Sequence, residues 1–485
     1  MKILPATNLN RSRPLYSVPI PLRVADNSYL QTILFGILFN LSILSAHLAQ
    51  LVSLPLLVHP KTRPYFQKSI TYTKNTFARA LVMITQFFGP TKLILSFDDG
   101  EGGFLDPEEF VKLDSEGNVE RVDLPSKSIW MSNHQVYTDW LYLWILAYYS
   151  NLSGDITIIL KKSLKWIPFV GWGMQFFRFI FLARSWNADK ANLASSLSSM
   201  ARHAGKNKGL NGQAGGAKSL ANKLLLMIFP EGTLVSSDTR PLSKKYADKM
   251  GYQDLENLLL PRSTGLFFCV RALASEVEDL WLVNFTIGYP GIPPAGYGQS
   301  YYTLRSIFMQ SVPPPSVHLH ISMTRLTEPS AADGDHYLSK SSSTLETLLS
   351  NGDTPPLGRL PKSAEDASSA FGESTAREKQ AFDDWLTKVW IKKDAIMARF
   401  YRDGDFIGGK TGTFELWNDV ARKEDGEASA VRKDLGPEVG KRGFVEIPIK
   451  FKSPTELGDV FCWGLPWLVA RFYLKIWRFF TEVLF

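Results

Sequence analysis

The sequence predicts an α/β protein: a mixed, largely buried sheet flanked by helices, with an N-terminal membrane anchor and a C-terminal amphipathic or membrane-embedded helix. Three observations lead there. Between residues 90 and 326, short apolar runs alternate with stretches of helical periodicity, the pattern of strands covered by helices. Residues 29–58 contain no Asp, Glu, Lys or Arg. Residues 460–485 combine dense aromatic content with basic residues on one helical face.

Composition sets the outer limits. The chain has 485 residues, with 54 basic against 47 acidic side chains and a formal charge of +7. Its 45% hydrophobic and 13% aromatic content excludes a disordered chain. Two cysteines, Cys269 and Cys462, exclude a disulfide scaffold. A mean hydropathy of −0.07 argues against a polytopic transporter and leaves room for one or two membrane segments. The basic residues are dispersed and no nucleic-acid-binding signature is present, so the charge points to anionic lipid surfaces rather than nucleic acid. No Cys/His cluster has metal-ligand spacing, and no metal is expected.

After a tail over 1–28, the anchor at 29–58 exceeds the roughly twenty apolar residues that span a bilayer. It is also too long for the core of a cleavable signal peptide, and a buried core helix is the other reading. Lys2, Arg11, Arg13 and Arg23 precede it, and Lys61, Arg63, Lys68 and Lys74 follow. With cations on both sides, a re-entrant hairpin bending near Asn40, Ser42 and Ser45 is the orientation that satisfies the positive-inside rule at both ends. His47 is expected to be satisfied within this segment rather than to act as a ligand.

A globular domain follows over 59–326, with its core at 90–326. Strands are expected at Lys92–Phe97, Ser128–Met131, Ile156–Leu160, Leu224–Phe229, Leu280–Ile287 and Val317–Met323. Helices are expected at Asp139–Tyr149, Asn192–His203 and Ser263–Ala274. Gly205–Lys218 reads as a mobile loop, and 327–380, rich in Ser, Ala, Gly and Pro, as a disordered insertion. A helical C-terminal extension is expected over 381–459. In the tail at 460–485, Arg471, Lys475 and Arg478 fall at i, i+4 and i+7, which suits a helix lying among lipid headgroups. A second spanning helix is the rival reading, made costly by those three cations.

Three constellations carry candidate chemistry. The strand SIWM runs into SNHQVYTDWLYLW, where His134 and Asp139 are five residues apart. In one helix that spacing separates the side chains by about 140°, so they meet only across a turn. The turn would set an imidazole at a strand end with a carboxylate on its other nitrogen, the base-and-orienter part of a triad without a protein nucleophile. Such a pair activates a hydroxyl of the substrate. The bland alternative is a loop histidine beside a helix-capping Asp. Next, LLLMIF leads into Pro230-Glu231-Gly232-Thr233, a tight turn whose amides and Thr233 hydroxyl suit an anion, or a plain turn with a solvated Glu. Finally, the aromatic stretch from Trp166 to Phe181 is followed by Arg184 and contains Arg178, arginines of the kind that pair with phosphate. That stretch suits an acyl tunnel, a bilayer-docking surface or ordinary core.

With these residues in place, the chain resembles the glycerolipid (lysophospholipid) acyltransferases of the lysophosphatidate-acyltransferase type. NHQVYTD resembles their first motif, with His134 and Asp139 at its fixed positions, and IFLARSW the second, with Arg184 as its arginine. FPEGT at 229–233 is similar to the third residue for residue, and LLLPRSTGL resembles the fourth, with Pro261 as its proline. The likeness covers roughly 90–326, and LKKSLKWIPFVGWGMQ and GYPGIPPAGYGQSYYTL look most like the lysocardiolipin and lysophosphatidylinositol acyltransferase branch in a fungal form.

The resemblance implies a glycerolipid-acyltransferase fold and acyl transfer from acyl-CoA to a lysophospholipid hydroxyl. It implies His134 as base and Asp139 as orienter, with Arg184, Glu231, Gly232, Thr233 and Pro261 around the acceptor's phosphoglycerol. It further implies acyl-CoA as co-substrate with no cofactor, a lipid bilayer as partner with no protein partner, and residence in the endoplasmic reticulum membrane, with mitochondrial or lipid-droplet membranes as alternatives. Phosphatidate synthesis from lysophosphatidate and an inactive membrane tether are the competing functions. The absence of a Gly-x-Ser-x-Gly elbow argues against a serine-type hydrolase.

Overall fold

A computed structural model describes residues 14–23, 29–98, 104–115, 118–183, 185–205, 223–329, 354–368, 373–406 and 443–462, together with Arg471 and Arg478. Nearly all of the Gly/Lys loop, Arg184 and most of the 460–485 tail therefore lie outside the described residues.

Two long helices precede the sheet. Helix α1 (Tyr29–Ser53) runs unbroken through Asn40, Ser42 and Ser45. Asn40 donates to the Gly36 carbonyl and Ser42 to that of Phe39, so these polar side chains satisfy themselves on the helix rather than opening it. The mid-segment break that these residues permit is not made; a 3-10 turn at Leu54–Leu57 follows the helix instead and leads into α2 (Arg63–Phe88). Helix α2 is amphipathic rather than uniformly apolar. Its buried face includes Ile70, Ala78, Leu81, Ile84 and even Lys74, whose ammonium donates to the Ile156 carbonyl at 2.6 Å. Burial pushes that ammonium down to about 8. Among the described residues, the α1 segment Tyr29–Leu57 is the one helix long and apolar enough to cross a membrane.

The central sheet holds all six expected strands and adds strands that were not expected, at Ile180–Leu182 and Val445–Pro448. They are β1 (Lys92–Asp98), β2 (Lys127–Ser132), β3 (Ile156–Lys161), β4 (Ile180–Leu182), β5 (Leu224–Ile228), β6 (Trp281–Gly288) and β7 (Val317–Arg325), with β8 (Val445–Pro448) at one edge. The spatial order is β8-β1-β7-β6-β2-β5-β3-β4, and Phe104–Leu105 pairs with β1. The run β6-β2-β5-β3-β4 is parallel throughout, while β7 is antiparallel to β6 and β8 to β1. The sheet is therefore mixed. Its central strands are buried along nearly their whole length, which is why they read as continuous apolar runs.

Helices α3 (Asp139–Tyr149), α4 (Val170–Phe176), α5 (Trp186–Ala204), α6 (Arg240–Met250), α7 (Ser263–Ala274) and α8 (Ala376–Asp403) complete the domain. Helix α3 buries every residue except Trp140, which is half-buried. Two expectations are corrected at the C-terminal side. The segment 354–368, expected within a disordered insertion, is packed: Ala364 and Ala367 are buried, and the Ala364 N–H donates to Glu276. Composition alone does not reveal this packing of its small residues. The extension over 381–459 is also not wholly helical, because β8 joins the sheet beside β1.

Candidate active site

Strands β6, β2 and β5 are parallel neighbours, so their carboxyl ends meet at one edge of the sheet, the usual ligand-binding position in such folds. Asn133 follows β2 directly. Its side-chain amide donates to the Ile287 carbonyl at 3.0 Å and accepts the Ile287 N–H at 2.8 Å, which ties the departing chain to β6. His134 is the next residue.

Asp139 is the first residue of α3, and its carboxylate turns back over the 134–138 turn. Oδ2 lies 2.8 Å from His134 Nδ1 and accepts the backbone N–H groups of Gln135 at 2.7 Å and Val136 at 3.1 Å. Oδ1 accepts the Tyr289 hydroxyl at 2.6 Å. The turn that sequence spacing required is therefore present, and Asp139 holds it closed. Thr138 occupies the N-cap position without a capping side-chain bond. Asp139 is fully buried, whereas the His134 side chain keeps 19% of its surface exposed. A carboxylate only accepts, so Nδ1 carries the proton and Nε2 presents its lone pair outward. Among the described residues nothing bonds Nε2. Burial, followed by the charge of Asp139, raises Tyr289 well above the usual phenol range and keeps it a donor.

The third motif closes over His134 from β5. Phe229 stacks on the imidazole with ring centroids 4.5 Å apart. Gly232 has φ +71°, a left-handed conformation that favours glycine, and its N–H closes the turn onto the Phe229 carbonyl at 2.9 Å. Gly232 is exposed and Thr233 half-buried, so these two residues face outward.

Glu231 does not face outward. The resemblance implied a headgroup contact, but the residue is only 2% exposed. It accepts the backbone N–H of His134 at 3.3 Å and of Leu259 at 3.4 Å, with the Trp390 indole N–H at 3.5 Å. Burial pushes this carboxyl up to about 8, against the pull of the His134 N–H and the nearby Lys393. Lys393 is itself buried, donates to the Phe285 carbonyl at 2.6 Å, and is pushed down to about 7 by the same desolvation. Glu231 is a strut between the first and fourth motifs.

Pro261 is buried beside the turn, and the next residue donates its N–H to the Pro230 carbonyl at 2.8 Å. The fourth motif thus backs the third through main-chain contacts. Arg184 lies outside the described residues. Its neighbours Ala183 and Ser185 both donate backbone N–H groups to Asp189, at 2.7 and 3.0 Å. Arg178, expected to need an anionic partner within an apolar setting, is exposed in the turn between α4 and β4.

The Acyltransferase family model matches residues 115–292, which contain all of these motifs. An uncharacterized acyltransferase of Saccharomyces cerevisiae is 31% identical over 384 residues, covering 78% of this chain and 82% of that relative. The chain belongs to the acyltransferase family. A 2-acyl-1-lysophosphatidylinositol acyltransferase of Saccharomyces cerevisiae is 35% identical over 310 residues, covering 59% of this chain and 64% of that protein. Lysocardiolipin acyltransferase 1 of Danio rerio is 31% identical over 211 residues, 43% of this chain and 47% of its own length. The chain thus spans a little under two thirds of the lysophosphatidylinositol enzyme and about half of the lysocardiolipin enzyme.

Within this acyltransferase several site residues escaped sequence reasoning. Tyr289 stands two residues past the end of an expected strand, but no spacing rule links it to Asp139. Trp390, Lys393 and Asp394 sit on α8, over a hundred residues beyond the motifs they reach. Asp394 accepts the N–H groups of Glu256, Asn257 and Leu258, and Tyr401 reaches Gln135 at 3.4 Å. Arg262 stands next to Pro261 with an exposed side chain, its Cδ 3.8 Å from where a Cβ on Gly232 would lie. The PRS sequence of the fourth motif was its only signal.

Proposed function

We propose that the protein is an acyl-CoA-dependent O-acyltransferase that acylates the free hydroxyl of a lysophospholipid in phospholipid remodelling. One observation carries the reading: an outward-facing imidazole nitrogen at the sheet edge, backed by a fully buried carboxylate, with no serine, threonine or cysteine side chain bonded to it among the described residues. His134 Nε2 takes the acceptor hydroxyl proton as that oxygen bonds to the thioester carbonyl carbon. The tetrahedral oxyanion then collapses, the carbon–sulfur bond breaks, and the CoA thiolate leaves with the proton from the imidazolium. Asp139 stabilises the imidazolium and fixes its tautomer. No cofactor enters this sequence.

Glu231 positions the His134 backbone. Gly232, Thr233 and the guanidinium of Arg262 receive the acceptor's phosphate, and Pro261 shapes the loop that supports them. Arg184 joins this group on the strength of its motif. An inositol- or cardiolipin-type acceptor is favoured by the relatives named for those lipids, with lysophosphatidate as the alternative. The uncharged outer face of α1 supports a membrane location, which we assign to the endoplasmic reticulum, with mitochondrial or lipid-droplet membranes as alternatives.

The test uses membranes carrying the protein or its His134→Ala variant, labelled acyl-CoA and a panel of lysolipids. Acylation that depends on His134 and prefers lysophosphatidylinositol or lysocardiolipin is expected. Equal acylation by both proteins would overturn the mechanism, and acylation of lysophosphatidate alone would overturn the acceptor assignment.

A further inference from the structure

The segment between β3 and β4 exposes more aromatic surface than a solvated loop normally carries. Trp166 is 75% exposed, Trp172 53%, Phe169 47% and Ile167 40%. A contiguous apolar patch of this kind marks an interaction site. Lys161 and Lys162 are exposed beside it, and the Lys165 ammonium lies 5.7 Å from the Trp166 ring. Exposed tryptophans flanked by lysines are the composition of a surface that sits at a membrane interface, rings at headgroup level and ammonium groups on anionic lipid.

The lobe is fastened to α1. His47 Nε2–H donates to the Phe169 carbonyl at 2.8 Å, and the imidazole meets the Trp172 ring edge-on at 6.4 Å. Gly173 lets the two helices close, because a Cβ there would come 3.2 Å from His47 Cε1. Phe169 is held at φ +60°, a conformation that non-glycine residues avoid, and the residue is 47% exposed. The outer face of α1 continues the surface with Ile37, Leu41, Leu44, Leu48 and Leu51, all about half exposed.

The lobe also shares an edge with the site. It follows the carboxyl end of β3, while His134 follows that of β2 and Glu231 that of β5, and these three strands are parallel neighbours. At the ordinary strand spacing, β3 stands about 10 Å from β2.

We propose that residues 162–176 form an interfacial anchor that lies in the headgroup layer of an anionic bilayer beside α1, turning the catalytic edge of the sheet toward the membrane. A lysolipid then reaches His134 by moving along the bilayer surface without leaving it. This rests on the membrane reading of α1 given above.

The full chain in mixed phosphatidylcholine–phosphatidylserine vesicles tests it, with an environment-sensitive nitrobenzoxadiazole label placed in turn at Trp166→Cys, Leu41→Cys and Leu242→Cys. The native Cys269 and Cys462 are buried, and unsubstituted protein supplies the labelling background. Labels at 166 and 41 should emit at shorter wavelength and be quenched by nitroxide lipids, while the label at 242, on α6, stays water-like. A lipid-immersed label at 41 with a water-exposed one at 166 overturns the lobe and leaves the membrane reading intact. Water-like emission at both positions overturns the membrane reading and the lobe with it. Kinetically, the Trp166→Ser/Trp172→Ser double variant should raise KM for vesicle-borne lysolipid several-fold and leave turnover of a short-chain, monomeric lysolipid unchanged. Equal losses on both lipids would overturn the docking role.

Discussion

Tyr289 donates its hydroxyl to Asp139 Oδ1 at 2.6 Å, so the carboxylate that orients His134 is itself oriented from β6. The other oxygen already receives His134 Nδ1 and two backbone N–H groups. Tyr289→Phe removes one of four donors to a buried anion. A hydrogen bond to a charged group contributes about 1.5–3 kcal/mol, and the thermal midpoint should fall accordingly. If about 1.4 kcal/mol of that reaches the transition state, kcat drops tenfold with KM for acyl-CoA unchanged. Asp139→Asn should be far worse, roughly ten-thousand-fold in kcat, because an amide nitrogen facing Nδ1 enforces the wrong tautomer. Steady-state kinetics on the two variants checks the ranking, and a Tyr289→Phe enzyme as impaired as Asp139→Asn would contradict it.

Glu231 gives a pH signature. Its folded-state pKa, about 8, lies above the ordinary 4.5, so the folded protein keeps a proton that the unfolded chain releases. The associated stability is complete below about pH 4.5 and is lost as pH rises toward 8. Glu231→Gln keeps an acceptor for the His134 N–H and removes the titration. The midpoint difference, variant minus parent, should therefore become more positive from pH 5 to pH 8 in thermal melts. Lys393, with its pKa depressed to about 7, contributes the opposite slope above pH 7 in both proteins and cancels in the difference to first order. A pH-independent difference would mean that Glu231 is ionised throughout.

Asp394 tests whether α8 is part of the site or only a cover. It caps three successive N–H groups at the entry to the fourth motif, whose next residue supplies the Leu259 N–H to Glu231. Asp394→Ala should cost about 2–3 kcal/mol and lower kcat. Asp394→Asn, which retains one acceptor oxygen, should recover part of both. Loss of stability in the Ala variant with kcat untouched would limit α8 to a structural cover.

The sequence made the strands and the dyad readable for physical reasons. Continuous runs such as LLLMI and LWLVNFTI are what strands buried on both faces of a sheet require, and both occur within a residue of where they were expected. His134 and Asp139 were readable because their spacing is useless in a helix and useful in a turn. Helix α2 was not, since Arg63, Lys68, Lys74 and Arg79 break up its apolar run in sequence, and one of them, Lys74, is buried on a main-chain oxygen. The direction of Glu231 was not either. A carboxyl in a Pro-Glu-Gly-Thr turn looks solvated, and its cover comes from distant residues, among them Trp390 from 159 residues away.

Arg262 separates headgroup recognition from chemistry. Its backbone is held by the Pro230 carbonyl, and its exposed side chain passes Gly232 on the outward side of the turn. A guanidinium there meets a phosphate with a two-pronged donor set, whereas lysine offers a point charge. Arg262→Ala should raise KM for an anionic lysolipid about tenfold, equivalent to ~1.4 kcal/mol of binding, with a smaller change in kcat and none in KM for acyl-CoA. Arg262→Lys should recover part of that loss in low salt and less of it in high salt, because a single exposed charge pair is screened. Gly232→Ala supplies the contrast. Its added Cβ makes only ordinary contact with Arg262, so its cost of about 1–2 kcal/mol comes from forcing an L-residue to φ +71°, and it should lower stability and kcat together. Lysolipid titrations of the three variants at two salt concentrations check the assignment. A rise in KM for acyl-CoA rather than for lysolipid in Arg262→Ala would move this residue from the acceptor side of the site to the CoA side.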